Sequence, residues 1–231
     1  MAKLKDLNEK FSKHWLEYEI DAYDEEEEDD SSVDETKFFR ASSAHLCPRA
    51  LWYIQMGYKR EPPSIQSKRR MKVGTLFHEF IREKLRGRGL VVDEEGRVEM
   101  DDPPLVGHFD NIIRRPGENE QYLLEIKSFA DPPPNVRLTL PRSDHVIQWN
   151  LYAFLTKLVH GMLFYINKNN QTYYIEEQTL NHSIVDPVLE KLRMVRAAVL
   201  EGQRIPYQPN EKHEWCSVRY ECEKDWFIRG Q

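Results

Sequence analysis

Residues 122–130, YLLEIKSFA, form a short apolar run closed by Pro116-Gly117 before it and Asp131-Pro132 after it, a composition that reads as a β-strand. Side chains alternate between the faces of a strand, so Glu125 and Lys127 point one way and Leu124 and Ile126 the other. Three further strand-like runs precede it, LVVD, GRVEM and LVGHFDNIIR, separated by glycine, proline and acidic turn residues. Asp110 lies between apolar neighbours in the last of these, so the pattern D110-x14-E125-x-K127 sets three ionisable groups on two successive strands. Burying them costs several kcal/mol unless something compensates, and a divalent cation does so directly. Asp110 and Glu125 are then metal ligands, with Lys127 beside whatever the metal holds. A salt bridge from Lys127 to either acid on a solvated sheet face is the alternative that these residues alone leave open.

The runs on either side of the strands are helical in period. Residues 7–20 place Leu7, Phe11, Trp15 and Ile20 close to one helical face, and a second helix is expected over about 43–56, where Gly57 offers a stop. In MKVGTLFHEFIREKLRG, apolar residues at 73, 76, 77, 80, 81 and 85 predict a helix over 71–87. SDHVIQWNLYAFLTKLV reads as a helix over 143–159. GMLFYINKN with QTYYIEEQ reads as a hairpin, and DPVLEKLRMVRAAVLEG as a helix with Asp186 and Pro187 at its start. Helices flanking a run of strands give an α/β fold with a central mixed β-sheet.

At 231 residues the chain is long enough to bury a sizeable core as one domain with terminal additions. The net charge of −6 is concentrated: residues 16–36 hold twelve acidic side chains and no Lys or Arg, whereas from Lys37 onward there are 29 basic and 25 acidic residues. This divides the chain into an N-terminal helix and acidic flexible segment, 1–36, and a main domain, 37–231. The acidic run is either a solvated linker or a decoy that competes with a polyanionic ligand for a basic groove. No apolar run approaches the roughly 18 residues of a membrane span, the start MAKLKDLNEK lacks the apolar centre of a signal peptide, and three cysteines make a poor disulfide framework. These features fit a cytoplasmic protein with no membrane partner.

His78 sits at the edge of the apolar stripe in GTLFHEF, one turn after Gly74, whose missing side chain allows a close neighbour. Gln148 and Tyr152 share a helix face. The ordered set Gly74-x3-His78, Gly107-x2-Asp110, Glu125-x-Lys127 and Gln148-x3-Tyr152, preceded by SSAHLCPRALWY, resembles the RecB-like branch of the PD-(D/E)XK nucleases. Within that branch it is most similar to CRISPR-associated and phage-borne exonucleases that carry cysteines at both ends. The likeness covers about residues 40–222.

The resemblance implies a restriction-endonuclease-like core and a metal-dependent DNA nuclease, acting as an exonuclease on single-stranded DNA or DNA ends. His78, Asp110, Glu125 and the carbonyl of Ile126 would bind Mg²⁺ or Mn²⁺. Lys127 would orient or help deprotonate the attacking water and offset phosphate charge, and Gln148 and Tyr152 would position the DNA strand. Lys68, Arg69 and Arg70, in a basic stretch from Lys59 to Lys72 continued by Arg82, Lys84, Arg86 and Arg88, would track the DNA backbone, with Trp52, Tyr53 and Trp149 as stacking candidates. Relatives with a [4Fe-4S] cluster hold it with four cysteines. This chain offers Cys47, Cys216 and Cys222, with His213 where the fourth would fall, a set that suits structural Zn²⁺ or a histidine-ligated iron–sulfur cluster. Partners of such a domain would be helicase or recombination proteins. The competing reading is a DNA-binding or adaptor subunit of a recombination or spacer-acquisition complex.

Overall fold

The computed structural model describes residues 20–22, 33–132, 137–207 and 216–229. The helix expected over 7–20 and the run 24–30 lie outside these, apart from one helical turn at 20–22. In chain order come β1 (Phe39–Arg40), a 3-10 turn (Ala41–Ser43), α1 (Pro48–Gln55), α2 (Ile65–Gly87), β2 (Val91–Glu94), β3 (Arg97–Met100), β4 (Leu105–His108) and β5 (Asn111–Ile113). Then follow β6 (Tyr122–Phe129), α3 (Ser143–Thr156), β7 (His160–Asn167), β8 (Tyr173–Thr179), α4 (His182–Leu200) and α5 (Arg219–Arg229).

Local chemistry moves several expected boundaries. The helix expected from 43 starts only at Pro48, because proline needs no N–H partner in a first turn and the Cys47 sulfur accepts from the Ala50 N–H at 3.4 Å. The helix expected from 71 starts six residues earlier, where the Ser64 hydroxyl caps the Ser67 N–H at 3.2 Å, so the basic run is helical. α3 ends at Thr156, since Lys157 turns left-handed with φ 60° and the Leu158 N–H returns to the Ala153 carbonyl. In α4 the cap is Asn181, whose side chain accepts from the Ser183 N–H at 2.9 Å, so Pro187 falls inside the helix and not at its start.

The strands form a mixed α/β arrangement flanked by helices, as expected, but in two sheets. The run 105–114 breaks at Phe109-Asp110: β4 joins a three-stranded sheet in the order β1-β4-β3, and β5 joins a five-stranded sheet in the order β2-β5-β6-β7-β8. In the larger sheet β6 and β7 are parallel and every other neighbour is antiparallel.

β6 separates two apolar layers. Leu123 faces a main core with Trp149 and Leu151 of α3, Leu51 and Tyr53 of α1 and Leu192 of α4, while Leu124 and Ile126 meet Ile81 of α2 and Ile166 on the other side. Removing this apolar surface from water, at about 25 cal/mol per Å², is what holds the helices to the sheet. Trp52, Tyr53 and Trp149 are all within this core, so none is placed to stack on a base. Among the described residues no helix is long and apolar enough to cross a membrane.

Candidate active site

The antiparallel pairing of β5 with β6 ends at Asn111↔Leu124, and the residues next to that end build the site. The Ile126 N–H, past the last pair, donates to Asp110 Oδ2 at 2.7 Å, and the Asp110 N–H points at Glu125 Oε2, 3.4 Å away. From α2, His78 Nδ1 lies 3.2 Å from Asp110 Oδ1. The helix can come this close because Gly74 has no side chain: a Cβ there would sit 3.0 Å from the Ser128 hydroxyl at the end of β6. On the opposite face Lys127 Nζ donates to Glu125 Oε1 at 2.8 Å and to Gln148 Oε1 of α3 at 3.0 Å. His78, Asp110, Glu125, Lys127 and Gln148 thus form one connected group, and Ile126 joins it through its backbone.

The ionic pair is not on a solvated sheet face, because Glu125 is only 2% exposed. Burial, followed by the negative charge of Asp110, pushes the Glu125 carboxyl up to about 7 despite the Lys127 ammonium. Burial acts to raise Asp110 as well, but the His78 ring, Lys127 and the Ile126 N–H outweigh it and hold Asp110 below its ordinary value. For Lys127, burial acts to lower the pKa and the two carboxylates more than reverse it, so the side chain is held as an ammonium. It is a donor and a positive charge here.

The donor set fits a hard divalent cation. The buried Glu125 and the partly buried Asp110 face a single ammonium, burial and the Asp110 charge keep Glu125 from ionising fully at neutral pH, and an imidazole stands beside them. Among the described residues no three His, Cys, Asp or Glu side chains are spaced as a ready metal site. Lys127 and Gln148 engage Glu125 Oε1, and His78 and Ile126 engage the two oxygens of Asp110.

Gln148 and Tyr152 stand behind the site and not on its surface. Both are buried, and the Gln148 amide donates to Glu125 Oε1 and to the Tyr152 hydroxyl, each at 3.0 Å, so they hold Glu125 and Lys127 in place instead of gripping a strand. Gly107 makes room for this support: a Cβ there would lie 2.5 Å from Tyr152 Cε1. Two side chains that motif spacing does not reveal also border Lys127. Tyr165 is its register partner on β7, and His145 lies one turn before Gln148 on α3. The signal for His145 was its i−3 position relative to Gln148.

The basic track is partly neutralised. Arg82 is buried against Glu79 and Glu95, and Arg86 is shared between Glu79 and Glu94, which removes both from a phosphate-binding surface. Lys68, Arg69 and Arg70 lie on the first turns of α2. Arg69 pairs with Asp21 at 2.5 Å and Arg60 with Glu35 at 2.5 Å, so acids from either end of the acidic segment contact this basic stretch. At the cysteines, Cys47, Cys216 and Cys222 are free thiols, and burial, with Cys47 and Cys222 contributing, pushes Cys216 up. His213, the fourth expected ligand, lies outside the described residues.

No protein-family model and no curated protein matches the sequence. Solved structures do match in fold. The crystal structure of SSO0001 is similar over 89% of this chain and 94% of its own, at 19% identity with a TM-score of 0.56. An alkaline exonuclease, LHK-Exo from Laribacter hongkongensis, is similar over 84% of this chain and 96% of its own, at 12% identity with a TM-score of 0.51. The same enzyme in complex with dAMP gives 12% identity and a TM-score of 0.52. This chain therefore has the mixed α/β fold of an alkaline exonuclease, with its ionic group gathered where the two sheets part.

Proposed function

We propose that the chain is a metal-dependent nuclease of the RecB-like PD-(D/E)XK kind, hydrolysing DNA phosphodiester bonds as an exonuclease on single-stranded DNA or DNA ends. The observation that carries this reading is the convergence of Asp110, Glu125 and Lys127 in one hydrogen-bonded group with His78, on a fold shared with an alkaline exonuclease. His78, Asp110, Glu125 and the Ile126 carbonyl would hold Mg²⁺ or Mn²⁺. Such an ion, when bound, neutralises phosphate charge and acidifies water.

The protein's own residues supply the remainder. Lys127, fixed as a cation between Glu125 and Gln148, donates to a phosphate oxygen as negative charge builds in the transition state. Gln148 and Tyr152 keep that ammonium from collapsing fully onto the carboxylates, and the apolar layer of Leu124, Ile126 and Ile81 behind β6 keeps water from the back of the site. Lys68, Arg69 and Arg70 are the sequence-independent backbone contacts. The test is cleavage of end-labelled single- and double-stranded DNA with Mg²⁺, Mn²⁺ or EDTA. Metal-dependent release of nucleotides from ends is expected, and DNA left intact under all three conditions would reject the assignment.

A further inference from the structure

Lys127 and Tyr165 are register partners on parallel neighbouring strands, so their side chains rise from the same sheet face side by side. From the helix above, Gln148 reaches Lys127 Nζ at 3.0 Å, and His145 stands one turn earlier on the same helix face. The Tyr165 hydroxyl lies 3.0 Å from His145 Nδ1, and the two rings are 5.6 Å apart at 33°. His145 is therefore tied to the surroundings of Lys127 from two elements. Whereas Gln148 and Tyr152 are buried, His145 is only half-buried, which puts it at the solvent end of the stripe.

One tautomer uses the proton of each group. In it the Tyr165 oxygen accepts from the Arg142 N–H at 3.2 Å and gives its single proton to His145 Nδ1. A neutral imidazole that accepts at Nδ1 carries its proton at Nε2. Burial and then the Lys127 ammonium pull the His145 pKa down to about 4, with Arg142 and His45 acting the same way and Asp144 opposing, so the ring is neutral at pH 7. Burial pushes Tyr165 up to about 12, so it keeps the proton it donates. Among the described residues Nε2 makes no hydrogen bond.

We propose that His145 is a substrate-binding residue, its Nε2–H donating to a phosphate oxygen of the DNA strand held beside Lys127. The inference rests on the nuclease reading and adds a specific contact to it. A neutral donor suits this place, since it binds an anionic oxygen without adding a second positive charge next to the ammonium.

Full-length His145→Gln and His145→Asn test it. The glutamine amide nitrogen reaches the position of Nε2, whereas that of asparagine stops near Nδ1. Binding of a fluorescent single-stranded oligonucleotide is measured by anisotropy in EDTA, where no cleavage competes. The asparagine variant should bind about tenfold more weakly, the size of one hydrogen bond to a charged oxygen, and the glutamine variant should stay within about threefold of the parent. Equal binding by both variants and the parent would overturn the proposal. So would the reverse order, glutamine weak and asparagine normal, which would make His145 a support for Tyr165 only. A parent that binds DNA but never cuts it, with His145 dependence intact, would remove the nuclease reading and leave this contact standing.

Discussion

Replacing Glu125 by glutamine should abolish cleavage and, in the absence of metal, make the protein more stable above neutral pH. The carboxyl has an ordinary value of 4.5 and stands at about 7 in the folded chain, because burial and the Asp110 charge disfavour its ionised form. A carboxyl raised on folding contributes stability that is complete below 4.5 and is lost as pH rises through about 7. The gap between these values, at about 1.4 kcal/mol per pH unit, is worth about 3 kcal/mol at pH 8. Glutamine stays neutral at every pH and keeps one oxygen for Lys127 and Gln148. It places an amide group only where Oε2 accepted the long 3.4 Å contact from the Asp110 N–H. Thermal unfolding in EDTA should therefore show parent and variant melting together near pH 4.5, with the variant about 6–12 °C higher at pH 8 for a chain of this size. Adding Mg²⁺ at pH 8 should recover the deficit in the parent and leave the variant unmoved. Equal melting temperatures at pH 8, or a less stable variant, would show that the buried carboxylates are already compensated and would refute the argument for a cation.

Other changes probe the same site from different directions. Lys127→Ala should lower cleavage at least about 10³-fold while DNA binding persists, and it should cost about 3–5 kcal/mol of stability at pH 8 by stranding Glu125; cleavage rates with denaturant unfolding decide both. Gly107→Ala should displace Tyr152, since the new Cβ would lie 2.5 Å from its ring, costing about 1–3 kcal/mol and reducing turnover through Gln148; a parent-like melting temperature and rate would count against that chain of contacts. Deleting residues 24–30 should speed association with DNA at low salt, with the difference vanishing as salt screens it beyond about 10 Å; unchanged rates measured by stopped flow would leave the acidic run a solvated linker.

What the sequence disclosed, and what it hid, follows from the range of the interactions involved. The faces of β6 were legible because alternation is local: Leu124 and Ile126 lie against Ile81, and Glu125 and Lys127 against Gln148. The β7–β8 hairpin was legible for the same reason. β1 was not, because two residues carry no period and are held only by parallel pairing with β4, whose Leu105 is 66 positions beyond Phe39. Helix starts were misplaced where a single side chain decided them, Ser64 for α2 and Asn181 for α4, since a cap adds about 1 kcal/mol without changing the apolar pattern. At the site, spacing found the charged residues and Gln148. It could not reveal Tyr165, which reaches Lys127 only through a register between distant strands. Nor did the basic pattern around Arg82 and Arg86 disclose that Glu79, Glu94 and Glu95 fold back onto them.

The break at Phe109-Asp110 explains why the acids can be buried there. A ladder that stops leaves main-chain donors without strand partners, and a buried N–H without an acceptor is costly. Past the last pair, Asn111↔Leu124, the Asp110 carboxylate takes the place of a strand carbonyl for the Ile126 N–H, and the Glu125 carboxylate stands in the same role for the Asp110 N–H. The two acids therefore repair the end of the sheet that they occupy. Beyond Leu124, β6 keeps β7 on one side through Phe129 while α2 approaches its end at Gly74, so Lys127 projects from a strand fixed along one edge. A backbone held on that edge lets charged groups stay together that would separate on a loop. Removing either carboxylate should thus disturb the local backbone as well as the charge; glutamine at 125 keeps the acceptor for Lys127 and Gln148 and gives up only the long contact from the Asp110 N–H, so it disturbs the backbone less than alanine would.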